Sequence, residues 1–77
     1  VSGGAATDVL AALSDGLDCF ITGEFEHQHY HDAAEGRITV IAGGHYKTET
    51  FGLLSLMEHI RNRFGLKVVF VANPTGL

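Results

Sequence analysis

The chain has 77 residues and a formal net charge of −4, and Lys and Arg together number five. A chain this short is one domain at most, and it buries only ~60% of its unfolded surface, which leaves its stability marginal without help. The acidic balance lacks the basic stripe by which a protein grips nucleic acid, and no apolar run approaches the ~20 residues that span a bilayer.

Val1 to Gly4 reads as a strand end followed by the glycine turn Ser2-Gly3-Gly4, with most of its strand upstream. The chain is therefore expected to be a single α/β domain over 1–77 that forms the C-terminal portion of a longer chain; a trimmed product would look the same. The start is small and Gly-rich, without the basic residues of a signal peptide. Ala5 to Leu13 carries Ala5, Ala6, Val9, Leu10 and Leu13 at helical spacing, and Asp15-Gly16 stops it. Leu17 to Thr22 contains the run Cys19-Phe20-Ile21, which suits a strand covered on both faces. Cys19 reads as inert core there. A lone cysteine cannot close an internal disulfide, and a reduced, cytoplasmic setting fits best.

Phe25 to Glu35 reads as a helix ended by Gly36, and Arg37 to Ala42 as the next strand, with Gly43-Gly44 as its exit turn. Thr50 to Phe64 is the clearest helix: Phe51, Leu54, Met57, Ile60 and Phe64 form one stripe, and Leu53 and Leu56 widen it. Arg61 and Arg63 suit the last turn, and Gly65 stands at the stop position. Leu66 to Ala72, rich in β-branched and aromatic residues, reads as a final strand ended by Asn73-Pro74. The order (β)α-βα-βα-β predicts a mostly parallel sheet with helices on its faces. In such sheets ligands bind beyond the carboxyl ends of the strands. Three turns meet there: Ser2-Gly3-Gly4, Thr22-Gly23-Glu24 and Gly43-Gly44-His45.

The residues with useful chemistry gather on that edge. His45 and Glu49 stand four apart in the first turn of a helix, so they share a face with Cβ atoms ~6 Å apart. An imidazole nitrogen and a carboxylate oxygen both suit a divalent cation, yet two ligands make only part of a site, because zinc usually takes three or four from the protein. The plainer reading is a glutamate favoured by the helix dipole beside a surface histidine. Glu24 reads as a base, as the partner that orients a metal-bound histidine, as a substrate contact, or as a charge at the start of the next helix. In Glu26-His27-Gln28-His29-Tyr30-His31, His31 is the candidate for proton transfer or substrate contact; a polar helix face is the alternative for all three histidines. Ser2-Gly3-Gly4 lacks the Lys-Ser/Thr of a phosphate-binding loop, so an ordinary turn is favoured.

Taken together, Ser2-Gly3-Gly4, Ile21-Thr22-Gly23-Glu24 with His31 beyond it, Ala42-Gly43-Gly44-His45-Tyr46-Lys47-Thr48-Glu49 with Phe51-Gly52, and Asn73-Pro74 resemble the C-terminal half of the NIF-three-like family, whose members are also called GTP cyclohydrolase type-two homologues. The resemblance covers essentially the whole chain and implies part of a larger three-layer α/β/α protein. It implies a site for two divalent metal ions, with zinc, iron and manganese all plausible, to which His45 and Glu49 contribute. The family's other ligands come from an N-terminal half, which would be this chain's first partner. It further implies a homo-oligomeric ring, up to a hexamer, and a small-molecule ligand. The activity implied is metal-dependent hydrolysis of a small nucleotide-like or phosphorylated substrate, with Glu24 or His31 handling protons. The alternative is a metal-bound scaffold or sensor that assembles oligomers and recruits a partner without chemistry. The segment His27-Gln28-His29 is richer in histidine than the family leads one to expect.

Overall fold

The structure, a computed structural model, describes residues 3–77. The strand end expected at Val1 and the first residue of the Ser2-Gly3-Gly4 turn lie outside them.

A 3-10 turn over Ala6–Asp8 runs into helix α1 (Val9–Ser14). Strand β1 (Cys19–Thr22) follows, then a second 3-10 turn (His27–His29) and helix α2 (Tyr30–Gly36). Strand β2 (Thr39–Ala42) leads into the long helix α3 (His45–Phe64). The fold is α/β. β1 and β2 pair in parallel with Cys19 opposite Thr39 and Thr22 opposite Ala42, so both strands end level.

The core lies on one side of this ladder. Val9 and Ala12 of α1 and Ala33 of α2 pack with Ile38, and Phe20 and Val40 close over them from the strands. Side chains alternate along a strand, so Cys19, Ile21 and Ile41 point the other way and are exposed. This corrects two expectations: among the described residues β1 is covered on one face only, and Cys19 is exposed rather than core. The physical reason is that α1 and α2 both pack on the Phe20 and Val40 side. At Gly36 an added Cβ would come within 2.3 Å of Leu13 Cδ2, which is how closely α2 approaches α1.

α3 starts at His45, in keeping with a first helical turn that carries His45 and Glu49 and five residues before the apolar pattern that begins at Thr50, and ends at Gly65, whose left-handed φ of 65° suits the stop position. None of its residues is fully buried. The final strand expected over Leu66–Ala72 is not formed. After Gly65 the chain turns back along α3, and the Asn73 backbone N–H donates to the Tyr46 hydroxyl at 3.0 Å. From Tyr46 to Phe64 the helix advances about 27 Å. The nine residues from Gly65 to Asn73 span ~30 Å at full stretch, so the segment must run nearly straight. Exposure even alternates from Val68 to Val71. The period-2 pattern is real, but no strand among the described residues lies beside it to complete a ladder.

Candidate metal centre

The carboxyl ends of β1 and β2 bring the glycine turns together. Gly44 takes φ 91°, ψ 132°, a backbone shape open to glycine and costly for other residues. This turn sets α3 off directly from the sheet rim. The Thr48 hydroxyl donates to the Gly44 carbonyl at 2.8 Å and lies 3.3 Å from that of His45, tying down the first helical turn. His45 and Glu49 consequently emerge side by side, one turn apart.

Their side chains close on each other: His45 Nε2 lies 2.9 Å from Glu49 Oε2. On the far side of the ring, His45 Nδ1 lies 2.9 Å from Glu24 Oε2. One imidazole is thus spanned by two carboxylates. Both contacts are hydrogen bonds only when the ring carries two protons; a neutral ring donates to one carboxylate and turns a lone pair on the other. The imidazole is held above its usual 6.5, chiefly by the hydrogen bond to Glu24. Partial desolvation opposes the rise, while the charges of Glu24 and Glu49 and the Glu49 hydrogen bond add to it. The His45 side chain is 40% exposed, Glu24 37% and Glu49 67%, so the cluster sits at the surface of the described residues.

The donor set fits part of a metal site. Tetrahedral donors ~2.0–2.2 Å from one cation stand ~3.3–3.6 Å apart; the Nε2 to Oε2 separation of 2.9 Å is that of a hydrogen bond and would open by about half an ångström to admit one. Glu24 is on the opposite ring nitrogen, where a carboxylate orients a ligating histidine rather than ligating. Accordingly, among the described residues no three His, Cys, Asp or Glu side chains are arranged to hold one ion. Two groups of donor chemistry and one carboxylate on the opposite ring nitrogen are present, fewer than a complete metal site would need.

The other candidates behave differently. His31 is exposed on α2, its ring set edge-on to Tyr30 at 5.4 Å between centroids; among the described residues no hydrogen bond or ion pair joins it to the cluster. His27 is exposed as well. His29 is buried, with Nδ1 3.4 Å from Asp32 and Nε2 3.4 Å from Gln28, and it packs at the start of α2.

Three residues matter more than their sequence context suggested. A Cβ on Gly3 would lie 2.2 Å from His45 Cδ2 and 2.6 Å from Glu49 Oε2, so backbone alone fits against the pair. Thr22, 3% exposed, bonds both the Gly3-Gly4 segment and the Glu24 backbone. Tyr46 receives the returning tail, and a cavity of about 270 Å³ beside the pair is lined by His45, Tyr46, Glu49, Thr75 and Leu77. The Thr-Gly-Glu and Gly-His-Tyr strings were signals for the last two. For Gly3 the shared sheet edge placed its turn near His45, but nothing in the sequence marked so close an approach.

Comparison with known proteins is consistent along the whole chain. The family model described as Duf34/NIF3 (NGG1p interacting factor 3) matches residues 1–75. The chain is 48% identical over 77 residues to the GTP cyclohydrolase 1 type 2 homolog of Pyrococcus horikoshii and 47% identical to that of Treponema pallidum. It spans 30% and 27% of those relatives, respectively, and in each case all of this chain is covered. The crystal structure of TTHA1606 from Thermus thermophilus superimposes with a TM-score of 0.82 at 44% identity, over 96% of this chain and 30% of that one.

Proposed function

The chain belongs to the Duf34/NIF3 family, and from that premise we propose that it contributes His45 and Glu49 to a divalent-metal centre of two ions, completed by residues outside this chain. The observation that carries the reading is the approach of His45 Nε2 and Glu49 Oε2 to 2.9 Å, with Nδ1 already engaged by Glu24. With a cation on the Nε2 side, that engagement sets the tautomer. A proton kept on Nδ1 by the Glu24 carboxylate leaves Nε2 with its lone pair toward the Glu49 side. The Gly3 backbone keeps side chains out of this space.

The reaction proposed is hydrolysis of a small nucleotide-like or phosphorylated substrate. A divalent cation bound there supplies Lewis acidity to an oxygen of the substrate or of water. The residues of this chain bind, orient and hold protons. His45 and Glu49 supply donors, and Glu24 keeps the Nδ1 proton in place. Glu24 has better support than His31 for a part in this, because it touches His45 directly whereas His31 faces solvent on α2. The cavity beside Glu49 and Tyr46 is where a small ligand would meet the pair.

The test is the metal content of the longest natural form, set beside its His45→Ala and Glu49→Ala variants, followed by turnover of a nucleotide panel. Each variant is expected to lose bound metal, and the parent to hydrolyse at least one phosphorylated compound. Equal metal content in all three proteins would end the metal reading. Full metal without any turnover would leave a metal-bound scaffold or sensor.

A further inference from the structure

Thr22 touches all three turns that build the site. Its backbone carbonyl accepts the Gly43 N–H at 2.9 Å, at the exit of β2. Its hydroxyl lies 3.1 Å from the Gly4 carbonyl and 2.9 Å from the Glu24 carbonyl. The residue is buried to 3% exposure, so the hydroxyl meets these carbonyls away from bulk water. A hydroxyl has one proton to donate, and here it is shared between the two carbonyls.

Both of those carbonyls belong to segments that bear on His45. Gly4 follows Gly3, whose backbone passes so close to the His45–Glu49 pair that a methyl group would overlap it. The Glu24 carbonyl belongs to the residue whose carboxylate holds His45 Nδ1. We propose that Thr22 is a positioning residue of this site: by pinning the Gly3-Gly4 segment and the Glu24 backbone to the end of β1, its hydroxyl sets the backbone wall on one side of His45 and the reach of the carboxylate on the other. Valine has the same shape without the hydroxyl. In its place two carbonyls lose their donor, the Gly3-Gly4 segment is released, and Glu24 is free to drift from Nδ1. Serine keeps the hydroxyl and loses only a methyl group.

The inference rests on the metal reading given above, so the experiment uses one readout that needs metal and one that does not. In the full natural chain, Thr22→Val and Thr22→Ser are compared with the parent for zinc affinity by calorimetry. The ring nitrogens of His45 are followed in the metal-free proteins by long-range proton–nitrogen spectra. Loss of a group that orients a ligand costs 10–100-fold in affinity, so Thr22→Val is expected to bind zinc about tenfold more weakly and Thr22→Ser within about twofold of the parent. The His45 ring signals should shift in the valine variant and stay parental in the serine variant, which a merely structural clip would not produce. Parental affinity and ring signals in Thr22→Val would overturn the proposal, as would a serine variant as impaired as the valine one. Should the valine variant fail to fold, Thr22→Ala takes its place. Weakened zinc binding with altered ring signals is then expected, and parental behaviour overturns the proposal. Zinc binding by His45→Ala equal to the parent's would refute the metal reading separately, and the ring spectra would still decide the placement of Thr22.

Discussion

The His45 imidazole lies between two carboxylates, and its charge is the quantity most open to measurement. Its folded-state value is raised above 6.5, with the Glu24 hydrogen bond as the main cause. A raised value means that protonated His45 stabilises the fold fully below pH 6.5, and that this contribution is lost as pH rises through the folded value. An NMR titration of the metal-free chain should place His45 above 6.5. Glu24→Gln should lower it, and by more than Glu49→Gln does; the reverse order would show that the Nδ1 contact is not the dominant one. Protons and cations compete for Nε2, so metal affinity should weaken as pH falls below that same value. The pairing of His45 with Glu49 was legible from a spacing of four on one helix. The Glu24 contact was legible only as one of several roles, because it joins residues 21 apart in the chain. Helical spacing reports neighbours along one element and is silent about what a sheet rim brings next to it.

At the scale of elements, α1, α2 and α3 were readable because apolar residues recur at the helical period and the glycines stand where helices end. The apolar stripe of α3 begins only at Phe51, and it was the Gly43-Gly44 turn with the His45–Glu49 spacing that marked where the helix starts. Leu66–Ala72, by contrast, was misread. Propensity and alternation describe one chain segment, but a strand is defined by a neighbour. What holds this segment is a pair of contacts at Tyr46: its hydroxyl takes the Asn73 N–H, and its own backbone N–H donates to the Leu77 carbonyl at 3.2 Å. Tyr46→Phe removes the first and keeps the ring. One such hydrogen bond is worth about 0.5–1.5 kcal/mol, so amide exchange at Asn73 should speed up by about two- to tenfold while exchange in α1 is unchanged. Unaltered exchange at Asn73 would show that the returning segment is held by other contacts.

The described residues extend 51 × 25 × 14 Å, with a radius of gyration of 16.2 Å. A compact chain of this length would have a radius of ~11–12 Å. The excess is α3 and the segment running back along it. Phe51 (68% exposed), Phe64, Val69 and Val71 are uncovered, as are Ile21 and Ile41 on the open side of the sheet. An apolar surface of this kind marks a face that meets another part of a protein or another molecule. The 77 residues prepared alone should therefore bind a hydrophobic dye such as ANS and associate with rising concentration in sedimentation experiments. A dye-silent monomer at high concentration would contradict this distribution of apolar surface.

β1 and β2 end level, Thr22 against Ala42, and each has only one strand beside it among the described residues. Among the described residues the outer margin of each strand therefore has no ladder partner. A further strand laid alongside in the same direction and register would finish at the same height. The loop leaving it would arrive next to His45, so widening the sheet and bringing further side chains up to that imidazole would be a single geometric event.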